Sequence, residues 1–170
     1  TPATRMALET RVEGDRAGDI LSVRFDAPLG GRKQLYYVPA YPHVDWVNLR
    51  VGRPMEAVHN PGNVTRWLAD GAGLVRIGVE MKEALSRVLW RDRADGEWRV
   101  PAGLDFARDE FHPLRLSGDG ETLTLARRTP VGTWGLYSYD LKAGRMGEAI
   151  LSHDRYDLWP EATRVFAPRT

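Results

Sequence analysis

The fold prediction begins with one stretch whose pattern a later stretch repeats. The first stretch is Trp67-Leu68-Ala69-Asp70-Gly71-Ala72-Gly73-Leu74-Val75-Arg76-Ile77. The later stretch is Leu114-Arg115-Leu116-Ser117-Gly118-Asp119-Gly120-Glu121-Thr122-Leu123-Thr124. In both, a strand enters an Asp-Gly turn and a second strand with alternating apolar residues leaves it. The two turns lie 49 residues apart, and a poorer copy at Glu13-Gly14-Asp15 lies 55 residues before the first. The pattern predicts a repeated β-hairpin.

Alternation of apolar and polar side chains extends this pattern along most of the chain and favours an all-β protein. Turn signals separate the alternating runs, among them Gly30-Gly31, Asp95-Gly96 and Ala143-Gly144. The best helical spacing, Val79 to Leu89, is followed by β-branched and aromatic residues that favour strands. Strands are predicted at 20–25, 74–79, 87–91, 114–116, 122–126 and 134–139.

A closing element also recurs: Trp46 to Gly52 and Tyr139 to Gly144 both read as a strand ending in Asn/Asp-Leu-x-x-Gly. A period near 50 residues with about four strands per unit is typical of a β-propeller blade. We therefore expect residues 1–170 to be one partial β-propeller of about three four-stranded antiparallel blades. The alternative is a β-sandwich or an open barrel. The expected blades span approximately residues 6–58, 63–101 and 114–152, and the tail 153–170 could begin a fourth.

Composition excludes several classes of protein. The 170 residues carry 24 Lys+Arg against 23 Asp+Glu, so the chain lacks the positive excess that a nucleic-acid-binding module needs. With no Cys, there are no disulfides, thiolate metal sites or cysteine nucleophiles. No apolar run is long enough to span a bilayer, so a soluble protein without a membrane partner is expected. The chain starts at Thr1, which suggests a processed or excised piece and weakly favours a bacterial periplasmic or secreted location.

The histidines and serines do not form a recognisable catalytic or metal-binding motif. His43, His59, His112 and His153 have no metal-ligand spacing along the chain. No serine lies in the Gly-x-Ser-x-Gly motif of a nucleophile elbow. We therefore expect no catalytic residue and no metal ligand.

Two carboxylate pairs and one glycine-rich loop are also not expected to take part in catalysis or in cofactor binding. Glu80 with Glu83 and Asp109-Glu110 are carboxylate pairs of a kind that could bind a peptide amino terminus or act as acid and base in a glycosidase. Asp109-Glu110 lies in an interblade loop, where we expect it to be solvated, and we expect no functional role for either pair. Gly71-Ala72-Gly73 lacks the Lys-Ser/Thr that a phosphate-binding loop carries after its glycines. We expect no cofactor-binding residue and no cofactor.

Several segments together resemble the N-terminal β-propeller of bacterial prolyl-oligopeptidase-family (S9) serine peptidases. The run Asn60 to Asp70 followed by Leu74 to Ile77 resembles one blade of that family. Val88 to Asp92, running on to Glu97-Trp98-Arg99, completes that blade, and Phe111 to Leu141 is similar to the next one. The resemblance covers roughly residues 5–155. The first blade departs from the family pattern at Gly30 to Lys33 and Tyr36 to His43, where its hairpin is less regular.

The resemblance implies a larger enzyme in which a C-terminal α/β-hydrolase domain carries a Ser-Asp-His triad. The propeller would restrict the access of peptide substrates to that domain and would not itself catalyse hydrolysis. Since three blades would leave two blade faces uncovered, the isolated chain is expected to self-associate. The alternative function is a free-standing all-β binding module for a protein, peptide or glycan.

Overall fold

The computed structural model describes residues 4–9, 12, 16–25, 41–82, 85–104 and 111–158. These residues form no α-helix, so the all-β prediction is confirmed. The strands are β1 (Thr4–Glu9), β2 (Asp19–Phe25), β3 (His43–Asn48), β4 (Pro54–Val58), β5 (Val64–Ala69), β6 (Val75–Lys82), β7 (Leu85–Trp90), β8 (Phe111–Leu116), β9 (Thr122–Arg128), β10 (Trp134–Asp140) and β11 (Arg145–Leu151).

The strands form three antiparallel sheets in which neighbours along the chain are also neighbours in space. The first sheet has the order β1-β2-β3-β4, the second β5-β6-β7, and the third β8-β9-β10-β11. Strands that are neighbours within a sheet can be joined without a crossover connection. Within the described residues no sheet closes into a barrel.

Among the described residues the second sheet has three strands, so the expectation of four strands in every unit is wrong there. Arg99 makes an isolated bridge with Trp90, with hydrogen bonds of 2.7 and 2.9 Å between their backbones. The next pair in that register would need a backbone N–H from Pro101, which proline does not have. The ladder therefore stops after one bridge.

The segment with helical spacing is a β-hairpin. β6 and β7 pair antiparallel, with Val79 opposite Val88 and Gly78 opposite Leu89. The helical spacing of its apolar residues is overridden because consecutive residues, 77–80 in β6 and 88–90 in β7, are buried on both faces of the sheet.

The second sheet lies between the other two and buries both faces. Val88 and Leu89 are consecutive residues, so their side chains point to opposite faces of the sheet. Leu89 packs in a cluster with Leu21 and Val44 of the first sheet, while Val88 packs in a cluster with Leu125 of the third. Each fully buried aliphatic side chain of this kind contributes about 1.5–3 kcal/mol.

The first strand of each sheet lies beside the first strand of the next. β1 contacts β5, and β5 contacts β8. The last strands of the first and third sheets, β4 and β11, lie at sheet edges, and most of their side chains are exposed. Each of these two sheets thus runs from a strand near its neighbouring sheet to an exposed outer strand.

The repeated hairpin turn is present, but its alignment differs from the one read in the sequence. Ser117, and not Asp119, takes the place of Asp70 at the start of the turn. Asp70 Oδ1 accepts the Leu74 N–H at 2.8 Å, and Ser117 Oγ accepts the Thr122 N–H at 2.9 Å. The two turns align on Gly73 and Gly120, whose φ angles of 77° and 74° favour glycine. The similar Asp-Gly letters are therefore shifted by two residues between the two turns.

The closing turn recurs as the sequence predicts. Asn48 Oδ1 accepts the N–H groups of the second and third residues after it, and Asp140 Oδ1 does the same after β10. Four residues on, the N–H groups of Gly52 and Gly144 donate to the carbonyls of Asn48 and Asp140 at 2.7 and 2.9 Å. The first and third sheets thus share one hairpin design between their third and fourth strands.

Candidate functional site

A cleft of about 550 Å³ lies between the first and second sheets. Trp46 and Val58 line it from the first sheet, and Gly73 to Val75 line it from the second. Arg16 and Arg91 also line it. The cleft therefore combines an apolar wall with two guanidinium groups.

Gly73 and Trp46 determine the shape of this cleft together. A Cβ atom on Gly73 would lie 2.3 Å from Cη2 of the Trp46 ring, so only glycine leaves room for the indole. The Arg16 guanidinium lies over the same ring, 4.8 Å from its centroid, in a cation–π contact. The Trp46 ring is thus held between the turn of the second sheet and a positive charge.

Arg91 is buried, and its guanidinium is held by the protein backbone. Its Nε donates to the Val75 carbonyl at 2.8 Å, its Nη1 donates to the Ala94 carbonyl, and the group lies 4.6 Å from the Trp98 ring centroid. Burial, followed by the positive charge of Arg76, lowers the pKa of Arg91 from its ordinary value. Arginine nonetheless keeps its charge at neutral pH, so Arg91 brings a positive charge to the cleft.

The groups that line this cleft can bind a ligand. Its described lining contains no serine, histidine or carboxylate that could act as nucleophile or general base. Guanidinium groups beside an aromatic ring and aliphatic side chains fit a ligand with an anionic group next to an apolar one, such as a peptide carboxylate.

A smaller cavity of about 220 Å³ lies where the first strands of the three sheets meet. Leu8, Leu68 and Leu114 line it, one from each first strand, together with Asp70 and Arg115.

Asp70 in this cavity is fully engaged within the protein. Its Oδ1 accepts the N–H groups of Ala72 and Leu74, and its Oδ2 receives the Arg76 Nε at 2.6 Å. Both carboxylate oxygens therefore accept hydrogen bonds within the protein, and they stabilise the turn.

Two histidines that are distant in sequence meet where β3 begins and β4 ends. His43 and His59 have ring centroids 4.6 Å apart, and Glu56 lies beside both. The register of β3 with β4 pairs Val44 with Val58, which places His43 across from His59. The spacing of these residues along the chain does not indicate the cluster. The alternation of β3 and β4, with a short turn between them, could have indicated that His43 and His59 lie opposite each other.

Of the residues in the two carboxylate pairs, the structure describes only Glu80. Its side chain is buried. Its Oε2 receives the Arg87 Nε at 2.6 Å, and its Oε1 receives the Asn63 amide at 3.2 Å. A buried carboxylate of this kind is stable only with such partners. Glu83 and the pair Asp109-Glu110 lie outside the described residues.

The remaining sequence candidates stay separate from one another. His112 packs against Trp134 with ring centroids 5.1 Å apart, and His153 packs against Tyr156 at 4.7 Å. Ser117 takes part in the hairpin turn, where its hydroxyl donates to Asp119. The structure does not bring these three groups into one site.

No model of a known protein family matches the chain, and no curated protein matches it significantly. None of the described residues belongs to an apolar helix of the length that a bilayer crossing needs.

Proposed function

We propose that the chain is a non-catalytic β-propeller segment that gates substrates for a prolyl-oligopeptidase-type serine peptidase. The observation that carries the proposal is the arrangement of three consecutive sheets, with β1, β5 and β8 side by side and the middle sheet packed on both faces. A two-layer sandwich buries one face of each sheet, whereas a propeller blade buries both.

The order of the strands supports the same interpretation. In a propeller the first strand of each blade lies nearest the central channel and the last strand lies at the rim. β4 and β11 have the exposure expected of rim strands, and β1, β5 and β8 have the mutual contacts expected around a channel. The small cavity between these first strands fits the start of such a channel.

The connection that follows the third sheet is consistent with a further blade. In the first sheet, the Pro42 carbonyl just before β3 accepts the side chains of Asn60 and Trp67, which lie in the connection and the next sheet. In the third sheet, the Trp134 carbonyl at the start of β10 accepts the Leu158 N–H at 3.0 Å. The chain after β11 therefore returns to the start of the third strand, as it does after β4.

The proposed role is selection of substrates by size, with a hydrolase domain as partner and peptides as substrates. A narrow channel between first strands would admit an extended peptide and exclude a folded protein. Catalysis would belong to the partner domain and its Ser-Asp-His triad.

The experiment uses the complete product of the encoding gene. A fluorophosphonate probe should label one serine outside residues 1–170, and peptide hydrolysis should fall steeply as folded proteins replace short peptides. If the probe labels no serine, or if folded proteins and short peptides are cleaved equally fast, the proposal is wrong.

A second candidate, a free-standing binding module, is favoured by the arginine-lined cleft between the first and second sheets. A module of this kind would bind a peptide or another ligand with an anionic group and would not need a hydrolase. Titration of this chain with carboxylate-terminated and amidated peptides distinguishes the two. Tight binding that depends on the free carboxylate and is lost in Arg16→Gln would favour the module.

A further inference from the structure

We propose that His43, Glu56 and His59 bind a divalent transition-metal ion of the zinc class. His43 is the first residue of β3, Glu56 lies in β4, and His59 follows β4. A register shift between Val44 and Asp45 brings Glu56 opposite Asp45, on the face that also carries His43. Two imidazoles and one carboxylate therefore lie close together at one end of the β3–β4 hairpin.

The distances between the three side chains are close to those between ligands of one tetrahedral ion. His43 Nδ1 lies 3.7 Å from Glu56 Oε2, and His59 Nδ1 lies 3.4 Å from Glu56 Oε1. One ligand atom from each of the three residues falls within 4.8 Å of the others. With metal–ligand bonds of about 2.0–2.2 Å, neighbouring ligands of a tetrahedral zinc ion lie about 3.3–3.6 Å apart. Small side-chain adjustments would complete the site.

The donor set selects the class of ion. Two imidazole nitrogens and one carboxylate oxygen suit Zn²⁺, Ni²⁺ and Cu²⁺, whereas Mg²⁺ and Ca²⁺ prefer oxygen ligands alone. The His59 side chain is 73% exposed and that of Glu56 is 45% exposed, so water can fill the remaining coordination position. Three protein ligands and an open position are also the pattern of many zinc sites that bind a further ligand.

Two neighbours weaken the site without blocking it. The Asn60 N–H donates to His43 Nδ1 at 3.2 Å and would have to give up that acceptor to the ion. The Arg24 guanidinium lies 3.4 Å from Glu56 Oε2, but it also pairs with the buried Asp45 at 3.0 Å. Glu56 Oε1, on the His59 side, carries the shorter contact with a histidine. We therefore expect weaker binding than at thiolate-containing structural zinc sites.

Binding would fasten the β3–β4 hairpin to the connection that leads to the second sheet. Asn60, next to His59, donates its side-chain amide to the carbonyls of Pro42 and Val64 at 2.9 and 2.6 Å. An ion that binds only the folded arrangement stabilises that arrangement in proportion to its concentration. The inference is independent of the proposed peptidase role.

The test is titration of the chelator-treated chain with Zn²⁺ in a calorimeter, followed by thermal unfolding with and without the ion. One ion per chain should bind, and Zn²⁺ but not Mg²⁺ should raise the midpoint of unfolding. His59→Ala and Glu56→Gln should each weaken Zn²⁺ binding by at least about tenfold. Even the loss of a group that only hydrogen-bonds a metal ligand commonly lowers metal affinity by that much. Both residues are well exposed, so circular dichroism should show that the variants fold.

His153→Ala is the matched control, because His153 is an exposed histidine packed on Tyr156, away from the cluster. It should bind Zn²⁺ as the original chain does. The proposal fails if the original chain binds no Zn²⁺, or if His59→Ala and His153→Ala bind it equally well.

Discussion

The backbone N–H of Gly71 donates a 2.9 Å hydrogen bond to the carbonyl oxygen of Gly118. This bond joins the first hairpin turn of the second sheet directly to the first hairpin turn of the third. A Cβ atom at Gly71 would lie 3.0 Å from that oxygen, so the two turns approach as closely as backbones can. The repeated sequence pattern thus places two like turns in contact.

Trp67 should be one of the most important residues for stability. It is 1% exposed, and its indole N–H donates to the Pro42 carbonyl at 2.7 Å. Trp67→Ala should lower the free energy of unfolding by about 3–5 kcal/mol, since it leaves a large cavity between sheets. Trp67→Phe keeps an aromatic ring, and Asn60 still satisfies the carbonyl, so it should cost only about 1–2 kcal/mol. Urea unfolding measures both, and equal losses would contradict the packing described.

Gly73→Ala should destabilise the chain more than Gly132→Ala. Both glycines have a positive φ, 77° and 92°, so alanine is strained by about 1–2 kcal/mol at either position. At Gly132 a Cβ atom meets nothing within 4 Å, whereas at Gly73 it collides with the Trp46 ring. The collision should add about 1–3 kcal/mol. Comparable unfolding free energies for the two variants would show that the Trp46 ring can be accommodated without glycine at position 73.

Tyr139 should make stability fall at alkaline pH. Burial, followed by the negative charge of Asp140, raises the pKa of Tyr139 above its ordinary value of 10.0. The unfolded chain therefore loses the phenol proton first, and this residue's contribution is complete below pH 10 and declines as the pH rises from there towards the raised pKa. Its hydroxyl also donates to the Ala102 carbonyl.

The measurement is the difference in unfolding free energy between the original chain and Tyr139→Phe across this pH range. The difference should shrink above pH 10, because phenylalanine has no proton to lose. Tyr156→Phe, at a tyrosine that is 66% exposed, is the control for loss of one phenol. A constant difference for Tyr139→Phe would contradict the argument.

The isolated chain should self-associate, in part through the edge strand β11. Ile150 and Leu151 are 56% and 54% exposed on this strand, whose outer edge pairs with no described strand. Light scattering should show a mass that rises with concentration, and Ile150→Lys should reduce that rise. Val131→Lys, at an exposed turn residue, should leave it unchanged. A strict monomer at high concentration would contradict this expectation.

Local sequence signals were sufficient for the β9–β10 hairpin and for the two closing turns of this fold. Alternation identified both strands of the β9–β10 hairpin because side-chain direction depends only on residue parity. The Asn-Leu-x-x-Gly and Asp-Leu-x-x-Gly turns were recognisable because a side-chain acceptor and a positive-φ glycine act within five residues.

Features that depend on pairing between distant strands were not predictable in this way. The missing fourth strand of the second sheet depends on the register that sets Pro101 opposite a strand carbonyl. The cluster of His43, Glu56 and His59 depends on the register of β3 with β4 and on its bulge. The cleft depends on how Trp46 meets Gly73 of another sheet. None of these relationships can be recognised from the spacing of residues within one strand or turn.

We propose that the three sheets are consecutive blades of a propeller that serves a hydrolase. The most direct test is an experimental structure of the complete product of the encoding gene. We expect β1, β5 and β8 to face a common channel and a further sheet to cover the Trp134 side of the third sheet. We also expect a hydrolase domain with a Gly-x-Ser-x-Gly elbow at one end of the channel. A structure in which the three sheets form a closed unit, with neither a further blade nor a hydrolase domain, would contradict it.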